Sequence, residues 1–280
     1  VFDLESLKRP TTPDEAVRDL LETEGTGMYL AGGTILVPTG SPSLDFLVDL
    51  TRLGLDHIRL EDGALNIGAT TRIADLVDND ALSRQEFRAI GEAARWIGTH
   101  TVRNRATVGG NIFAAHFPSD LPPVLLALGA DIVLHGTGGT REVGLEDFYT
   151  RRSEVYSRGD LILEVRIPQQ NGSVSAFEKT GRTRVDVAIV SCAASVTLKG
   201  GAIEAARIAL GGLTALPVVA SEAAAFLAGR APTPDVFRDA GQLVLESVSP
   251  RSDHRAGGEY RRKVAGVLAT RVLSRAAGSA

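Results

Sequence analysis

The sequence predicts an α+β fold, in which strands and helices mix without strict strand–helix–strand alternation. Three observations carry that expectation. Apolar residues at helical spacing, such as Ala16, Val17, Leu20 and Leu21, recur between short apolar runs of strand length. Glycine pairs punctuate the chain between these runs. Finally, the character changes after residues 169–173 (Gln-Gln-Asn-Gly-Ser), where strand-like runs gather and helices follow. A length of 280 residues suits about two domains. The break near residue 170 divides the chain into 1–170 and 171–280.

The elements are expected in this order. Thr12 reads as a helix N-cap, Pro13 as the first helical residue and Glu15 as the capping-box acid, and Gly25 ends the run. Residues 28–31 form a short strand that runs into Gly32-Gly33-Thr34. Residues 46–50 and 65–69 are further strands, the second after an Asp62-Gly63 turn. Residues 71–78 read as a short helix. Phe87, Ile90, Ala94 and Ile97 mark one face of a longer helix that stops at Gly98, and 99–111 reads as irregular. Residues 121–128 are helical, with prolines in the first turn and Gly129 at the end. Strands at 131–134 and 140–143 flank Gly136-Thr137-Gly138-Gly139 as a hairpin, and a strand at 161–167 ends at Pro168. Beyond the linker come strands at 174–179, 187–198 and 203–210. Three helices close the chain: 217–229, one capped by Thr233 ahead of Pro234, and 259–275 with Tyr260, Val264, Val267 and Leu268 on one face.

Composition excludes several functions. Lys plus Arg number 30 against 34 Asp plus Glu, a net charge of −4 with no basic stripe, so nucleic-acid binding is not expected. No apolar run reaches the roughly 18 residues of a membrane span. The first ten residues carry Asp3, Glu5, Lys8 and Arg9 and do not read as a signal peptide. Cys192 is the one cysteine, so this chain alone builds no disulfide, iron–sulfur cluster or Cys-rich zinc site. That usage points to a reducing, cytoplasmic compartment. Cys192 lies in an apolar strand pattern and reads as an inert buried thiol. The histidines are scattered, without a metal-ligand spacing. No GxGxxG, GxSxG or P-loop occurs, and Lys179-Thr180-Gly181 has no Ser-x-x-Lys partner.

The glycine loops carry the most information. Ala31-Gly32-Gly33-Thr34 follows a strand, and Thr107-Val108-Gly109-Gly110-Asn111 follows an irregular segment. Paired glycines admit a ligand close to main-chain N–H groups, and such groups form nests for phosphate. Each loop alone also fits a plain tight turn. Ser119 or Asp120 can cap the helix that begins at 121, and Asp120 can instead accept from ligand hydroxyls. Arg103 and Arg105 flank the second loop, as supports, phosphate contacts or surface charges.

Taken together, these segments resemble the medium, FAD-binding subunit of the molybdenum hydroxylases, the group of xanthine dehydrogenase and carbon monoxide dehydrogenase. The resemblance covers nearly the whole chain. It rests on Ala31–Thr34, on Val102-Arg103-Asn104-Arg105-Ala106-Thr107-Val108-Gly109-Gly110-Asn111, and on Ser119-Asp120 with Leu125-Leu126-Ala127-Leu128. Residues 161–168, Phe177-Glu178-Lys179, Arg182, Asp186, Ala188 and Glu259-Tyr260-Arg261-Arg262 extend it.

The resemblance implies a two-lobed FAD-binding domain of the vanillyl-alcohol-oxidase (PCMH) type over 1–170, then a smaller α+β flavoprotein domain over 171–280. It implies that Leu30, Ala31, Gly32, Gly33, Thr34, Ile35 and Leu36, with Thr107, Gly109, Gly110 and Asn111, bind the FAD pyrophosphate. Asp120, beside Ser119, matches an acid that contacts the cofactor. Ile162 matches an aliphatic position beside the flavin, Ile97 a position that is aromatic in some relatives, and Lys179 a lysine near the ring's polar edge. Phe177 would fill the place of a ring-covering tyrosine, and His116 would lie near the flavin or face solvent. The implied role is electron transfer from iron–sulfur clusters to an external acceptor such as NAD or a quinone. A small subunit would hold the [2Fe-2S] clusters and a large subunit the molybdopterin. The alternatives are a stand-alone FAD oxidase or NAD(P)H-dependent flavin reductase, and a flavin-free assembly scaffold.

Overall fold

A computed structural model describes residues 4–40, 43–114 and 119–278. They divide into two units that do not follow the chain in one cut. The first holds the described residues up to Ile73 with His100–Ala114 and Asp131–Ile167. The second holds Ala74–Thr99, the described part of 115–130, and the chain from Pro168 onward.

The first unit contains two sheets. Strands β1 (Ser6–Lys8), β2 (Gly27–Leu30) and β3 (Phe46–Asp49) run parallel in the order β1-β3-β2. The helix Pro13–Glu22 opens on the expected capping box: Glu15 N–H donates to Thr12 Oγ1 at 3.2 Å, and Thr12 N–H donates to Glu15 Oε2 at 3.3 Å. Its Ala16 and Leu20 pack on Phe46, Val48 and Leu50, the alternate positions that line one face of β3 and its continuation. Strand β1 escaped the sequence reading because three residues with a terminal lysine show no period.

The second sheet has the order β4-β5-β8-β6-β7, with β4 (Ile58–Glu61), β5 (Ala64–Gly68), β6 (Asp131–Gly136), β7 (Gly139–Gly144) and β8 (Leu161–Pro168). The Asp62-Gly63 turn joins β4 to β5 with positive φ at both residues, 51° and 72°, the twist a two-residue hairpin needs. The 136–139 hairpin stands as expected between β6 and β7.

Two expectations change here. Residues 99–111 are not irregular: His100–Arg103 and Val108–Phe113 form short helices. The glycine pair hides the second helix from propensity, and outside partners hold it, Val108 N–H on Thr71 O and Gly109 N–H on Ala69 O. The helix expected at 71–78 shrinks to the 3₁₀ turn Ile73–Leu76.

The second unit is an antiparallel sheet of order β12-β11-β10-β9, formed by β9 (Ser173–Thr180), β10 (Val190–Lys199), β11 (Ala202–Gly211) and β12 (Val218–Val219). Cys192, Ala194 and Val196 on one face of β10 join the buried residues of Ser221–Leu227, Pro234–Ser247 and Gly258–Ala276 in one core. The helix expected from 217 starts only at Ser221, because Val218–Val219 pairs with β11 as an edge strand. A Cβ on Gly241 would lie 2.6 Å from Gly266 O, and one on Gly266 would lie 2.7 Å from Gly241 O, so the last two helices cross with backbones nearly touching. The helices Arg88–Trp96 and Leu121–Ala127 belong to this unit. Among the described residues no helix is long and apolar enough to cross a membrane.

Candidate functional site

A cleft of about 450 Å³ opens within the first unit, lined from β2 and its following loop, from Gly109, Gly110 and Phe113, and from the segment Tyr156 to Ile162. Its size falls in the range of roughly 300–1,000 Å³ typical of small-molecule sites. Of the residues singled out in the sequence, Ala31, Gly109, Gly110 and Ile162 line it. Leu30, at the end of β2, precedes Ala31, and Gly32 to Leu36 follow it into the short helix Leu36–Thr39.

The two glycine loops do different work. In the first, Gly33 sits at φ +68°, a left-handed conformation that favours glycine. A Cβ on Gly32 would stand 1.9 Å from Arg105 O, so this loop touches the segment leading into the second loop. Gly33 and Ile35 carbonyls accept from Val37 and Thr39, whereas the N–H groups of Gly32, Gly33, Thr34 and Ile35 meet no acceptor among the described residues. Successive unmatched N–H groups around a left-handed residue form a concavity for an anion.

The second loop does not offer the same donors, which corrects the expectation that both loops present N–H nests. Val108, Gly109, Gly110 and Asn111 donate to Thr71 O, Ala69 O, Thr107 Oγ1 and Thr107 O. What this loop supplies is space. A Cβ on Gly109 would press on Ala69 at 2.8 Å, but one on Gly110 would meet only the Thr107 hydroxyl, at 3.0 Å. Arg103 is buried at 8% exposure and Arg105 is exposed.

The opposite wall is pinned. Tyr156 Oη–H donates to Asp160 O at 3.0 Å, and Ser157 N–H to Asp160 Oδ2 at 2.6 Å. Tyr29 Oη–H donates to Gly159 O at 2.7 Å, and Arg141 pairs with Asp160 while donating to Val155 O at 2.9 Å. Burial pushes the Tyr29 hydroxyl up, which keeps it a neutral donor. The Phe113 and Tyr156 rings lie 5.6 Å apart, and the Arg152 guanidinium sits 4.2 Å from the first and 5.2 Å from the second. Sequence reasoning missed Tyr29, Phe113, Tyr156 and Arg158. The available signal was the Ser157-Arg158-Gly159-Asp160 turn ahead of a strand, with Gly159 at φ +96°.

The remaining predicted residues, Ile97, Ser119, Asp120 and Lys179, belong to the second unit. Asp120 does not cap the helix Leu121–Ala127 with its side chain. It takes Lys179 Nζ–H at 2.6 Å instead, and the two side chains are 4% and 1% exposed. Lys179 also donates to Asp186 O at 2.9 Å and to Trp96 O at 3.2 Å. Lys179 is therefore no bare cation, and its positive charge faces a carboxylate. Asp120 Oδ1 has no partner, and burial pushes the acid up to about 6 against the pull of Lys179. Ile97 ends the helix Arg88–Trp96 and is half-buried, as is Ser119. Phe177 is 2% exposed in the sheet, so it is a core residue and not a cover for a ligand. His116 lies outside the described residues. Cys192 is fully buried with its thiol pushed up, the inert state its pattern suggested.

Residues 3–170 match the family described as the FAD binding domain in molybdopterin dehydrogenase, and residues 175–276 match the CO dehydrogenase flavoprotein C-terminal domain. The chain is 32% identical to the glyceraldehyde dehydrogenase medium chain of Sulfolobus acidocaldarius, over 97% of this chain and 98% of that one. It is 33% identical to the carbon monoxide dehydrogenase medium chain of Afipia carboxidovorans, over 96% and 95%. A solved structure of the cyanide-inactivated Cu,Mo-CO dehydrogenase superposes with a TM-score of 0.91 at 32% identity, with both chains fully covered. Quinoline 2-oxidoreductase from Pseudomonas putida 86 superposes at 0.89 with 27% identity, over 100% of this chain and 99% of that one.

Proposed function

We infer from one premise – this chain belongs to the FAD-binding medium subunits of the molybdenum hydroxylases – that it is the electron-transfer subunit of such an oxidoreductase. It stands between the iron–sulfur clusters of a small subunit and an external acceptor such as NAD or a quinone. Substrate hydroxylation belongs to a large subunit that holds the molybdopterin. We place the assembly in the cytoplasm, and we assign 1–170 to FAD binding and 171–280 to the flavoprotein C-terminal domain.

FAD supplies the redox chemistry when bound, and the protein's task is to hold, orient and tune it. The residues present fit that group. The N–H groups of Gly32, Gly33, Thr34 and Ile35, without acceptors among the described residues, are the observation that carries the reading. They would take the diphosphate oxygens, Leu30, Ala31 and Leu36 frame them, and Gly110 leaves room for close approach. Thr107 and Asn111 set the position of Gly110 by capping and continuing its helix. The resemblance assigns Ile162 to a position beside the flavin ring, and Ile97 matches a cofactor-site position that is aromatic in some relatives. It assigns Ser119, Asp120 and Lys179 to polar contacts, with the Asp120–Lys179 pair holding a fixed dipole rather than a lone charge.

The test is the visible spectrum of the purified chain before and after incubation with FAD and desalting. Retained flavin bands, with the released cofactor identified as FAD and not FMN, are expected. Absence of flavin both in the reconstituted chain and in the chain purified with its partners would leave only the scaffold alternative. Co-purification tests the subunit role, because a monomer that turns over NADH with a dye acceptor would overturn it.

A further inference from the structure

The cleft of the first unit is mostly apolar, yet two charged side chains line it, Arg158 and Asp160. They are not equivalent. Asp160 is 5% exposed, is ion-paired with Arg141 and accepts from Ser157 N–H, so its charge is neutralised inside the wall. Arg158 is exposed and has no acidic partner among the described residues. The lining therefore presents one uncompensated positive charge against apolar walls, where an anion is attracted more strongly than in bulk water.

The first glycine loop supplies N–H groups, which are neutral dipoles and leave the charge of a diphosphate unbalanced. The segment that carries Arg158 is anchored on both sides, through Tyr156 and Ser157 to Asp160 and through Gly159 O to Tyr29. An anchored backbone loses little further freedom when its side chain engages a ligand. Arginine also presents a planar fork that meets two phosphate oxygens at once, which lysine does not.

We propose that Arg158 is a further FAD-binding residue, whose guanidinium balances the charge of the cofactor's diphosphate in this cleft. The proposal rests on the FAD reading above. It gives the exposed arginine of the 156–160 turn a task that neither glycine loop performs.

The experiment titrates the full chain, freed of flavin, with FAD, ADP and riboflavin in turn, for wild type, Arg158→Gln and Arg158→Lys. Arg158 is exposed and makes no hydrogen bond or ion pair among the described residues, so all three proteins should melt together, and a melt of each checks this. Arg158→Gln is expected to weaken FAD and ADP about ten- to a hundred-fold, the scale of one charge-assisted hydrogen bond. Riboflavin, which lacks phosphate, should bind all three alike. Arg158→Lys, which keeps the charge but not the fork, should fall between wild type and Arg158→Gln, and added salt should narrow the gap between wild type and Arg158→Gln. Unchanged FAD and ADP affinity in Arg158→Gln would overturn the proposal, as would an equal loss for riboflavin. Arg158→Lys as weak as Arg158→Gln, with no salt dependence, would replace charge balance by stacking on the adenine and also overturn it. A wild-type chain that binds none of the three probes, either alone or together with its partners, would overturn the FAD reading itself, an outcome visible before any variant is compared.

Discussion

Gly109 and Gly110 are neighbours with opposite tasks. A side chain on Gly109 would strike Ala69, whereas one on Gly110 would enter the cleft past a single hydroxyl. Gly110→Val should therefore leave the melting curve nearly unchanged and abolish FAD retention. Gly109→Val should lower stability by about 1–3 kcal/mol through overpacking, and Gly32→Ala should do the same against the Arg105 carbonyl. Flavin-to-protein ratio read beside a thermal melt separates the three variants, and an unfolded Gly110→Val would refute the assignment. The glycine pairs were legible in the sequence because glycine is rare enough to notice. Which of their N–H groups remain unmatched was not legible, because the acceptors Thr71 O and Ala69 O arrive from an earlier segment. The same blindness applied to Asp120. Its type suggested a cap or a ligand contact, and the fold gave it Lys179, 59 residues away. Lys179→Met would leave that carboxylate buried without a counter-ion, at a cost of about 3–5 kcal/mol. Adding Asp120→Leu should recover most of the loss in a urea titration, and failure to recover would mean that the pair does more than neutralise itself.

At the scale of elements, the caps divide what was readable from what was not. Thr12, Pro13 and Glu15 spelled a capping box, and the structure closes both of its bonds. Thr107 caps Val108–Phe113 through Gly110 N–H in the same way, but glycine at the second and third helical positions argued for a loop. Strands β1 and β4 were equally hidden. Ser6–Lys8 is too short for a period, and Ile58–Glu61 places Arg59 and Glu61 among its few residues. The two caps yield a paired prediction. Thr12→Ala and Thr107→Ala should each cost about 1 kcal/mol by urea denaturation. Only Thr107→Ala should also weaken FAD binding, because its hydroxyl holds Gly110, whereas Thr12 holds Glu15. Equal flavin affinity in the two variants would show that the cap does not position the second loop.

At the scale of the whole molecule, pH acts through two acids of the second unit with opposite signs. Burial raises Asp120 from 3.8 to about 6, so the folded chain holds this proton more tightly than the unfolded chain. Its contribution to stability is present below the unfolded value of 3.8 and is lost as pH rises toward about 6. Asp253 behaves inversely. Burial raises it, but Arg255 N–H, Ala256 N–H and the Arg261 guanidinium outweigh burial and hold it well below the usual carboxylate range. Its contribution is present above the unfolded value and is lost as pH falls below it. These windows meet near pH 4, so the two acids together favour the fold most strongly there. Differences between wild type and single variants isolate each arm from the other carboxylates of the chain. Relative to Asp120→Asn, wild type should lose stability between pH 4 and 6 and then run parallel. Relative to Asp253→Asn, it should lose stability only on acidification below pH 4. Urea midpoints across pH 3 to 7.5 give both curves. A difference from Asp120→Asn that stays flat between pH 4 and 6 would mean that Lys179 already keeps Asp120 ionised at pH 4, and that charge pairing outweighs burial at that site.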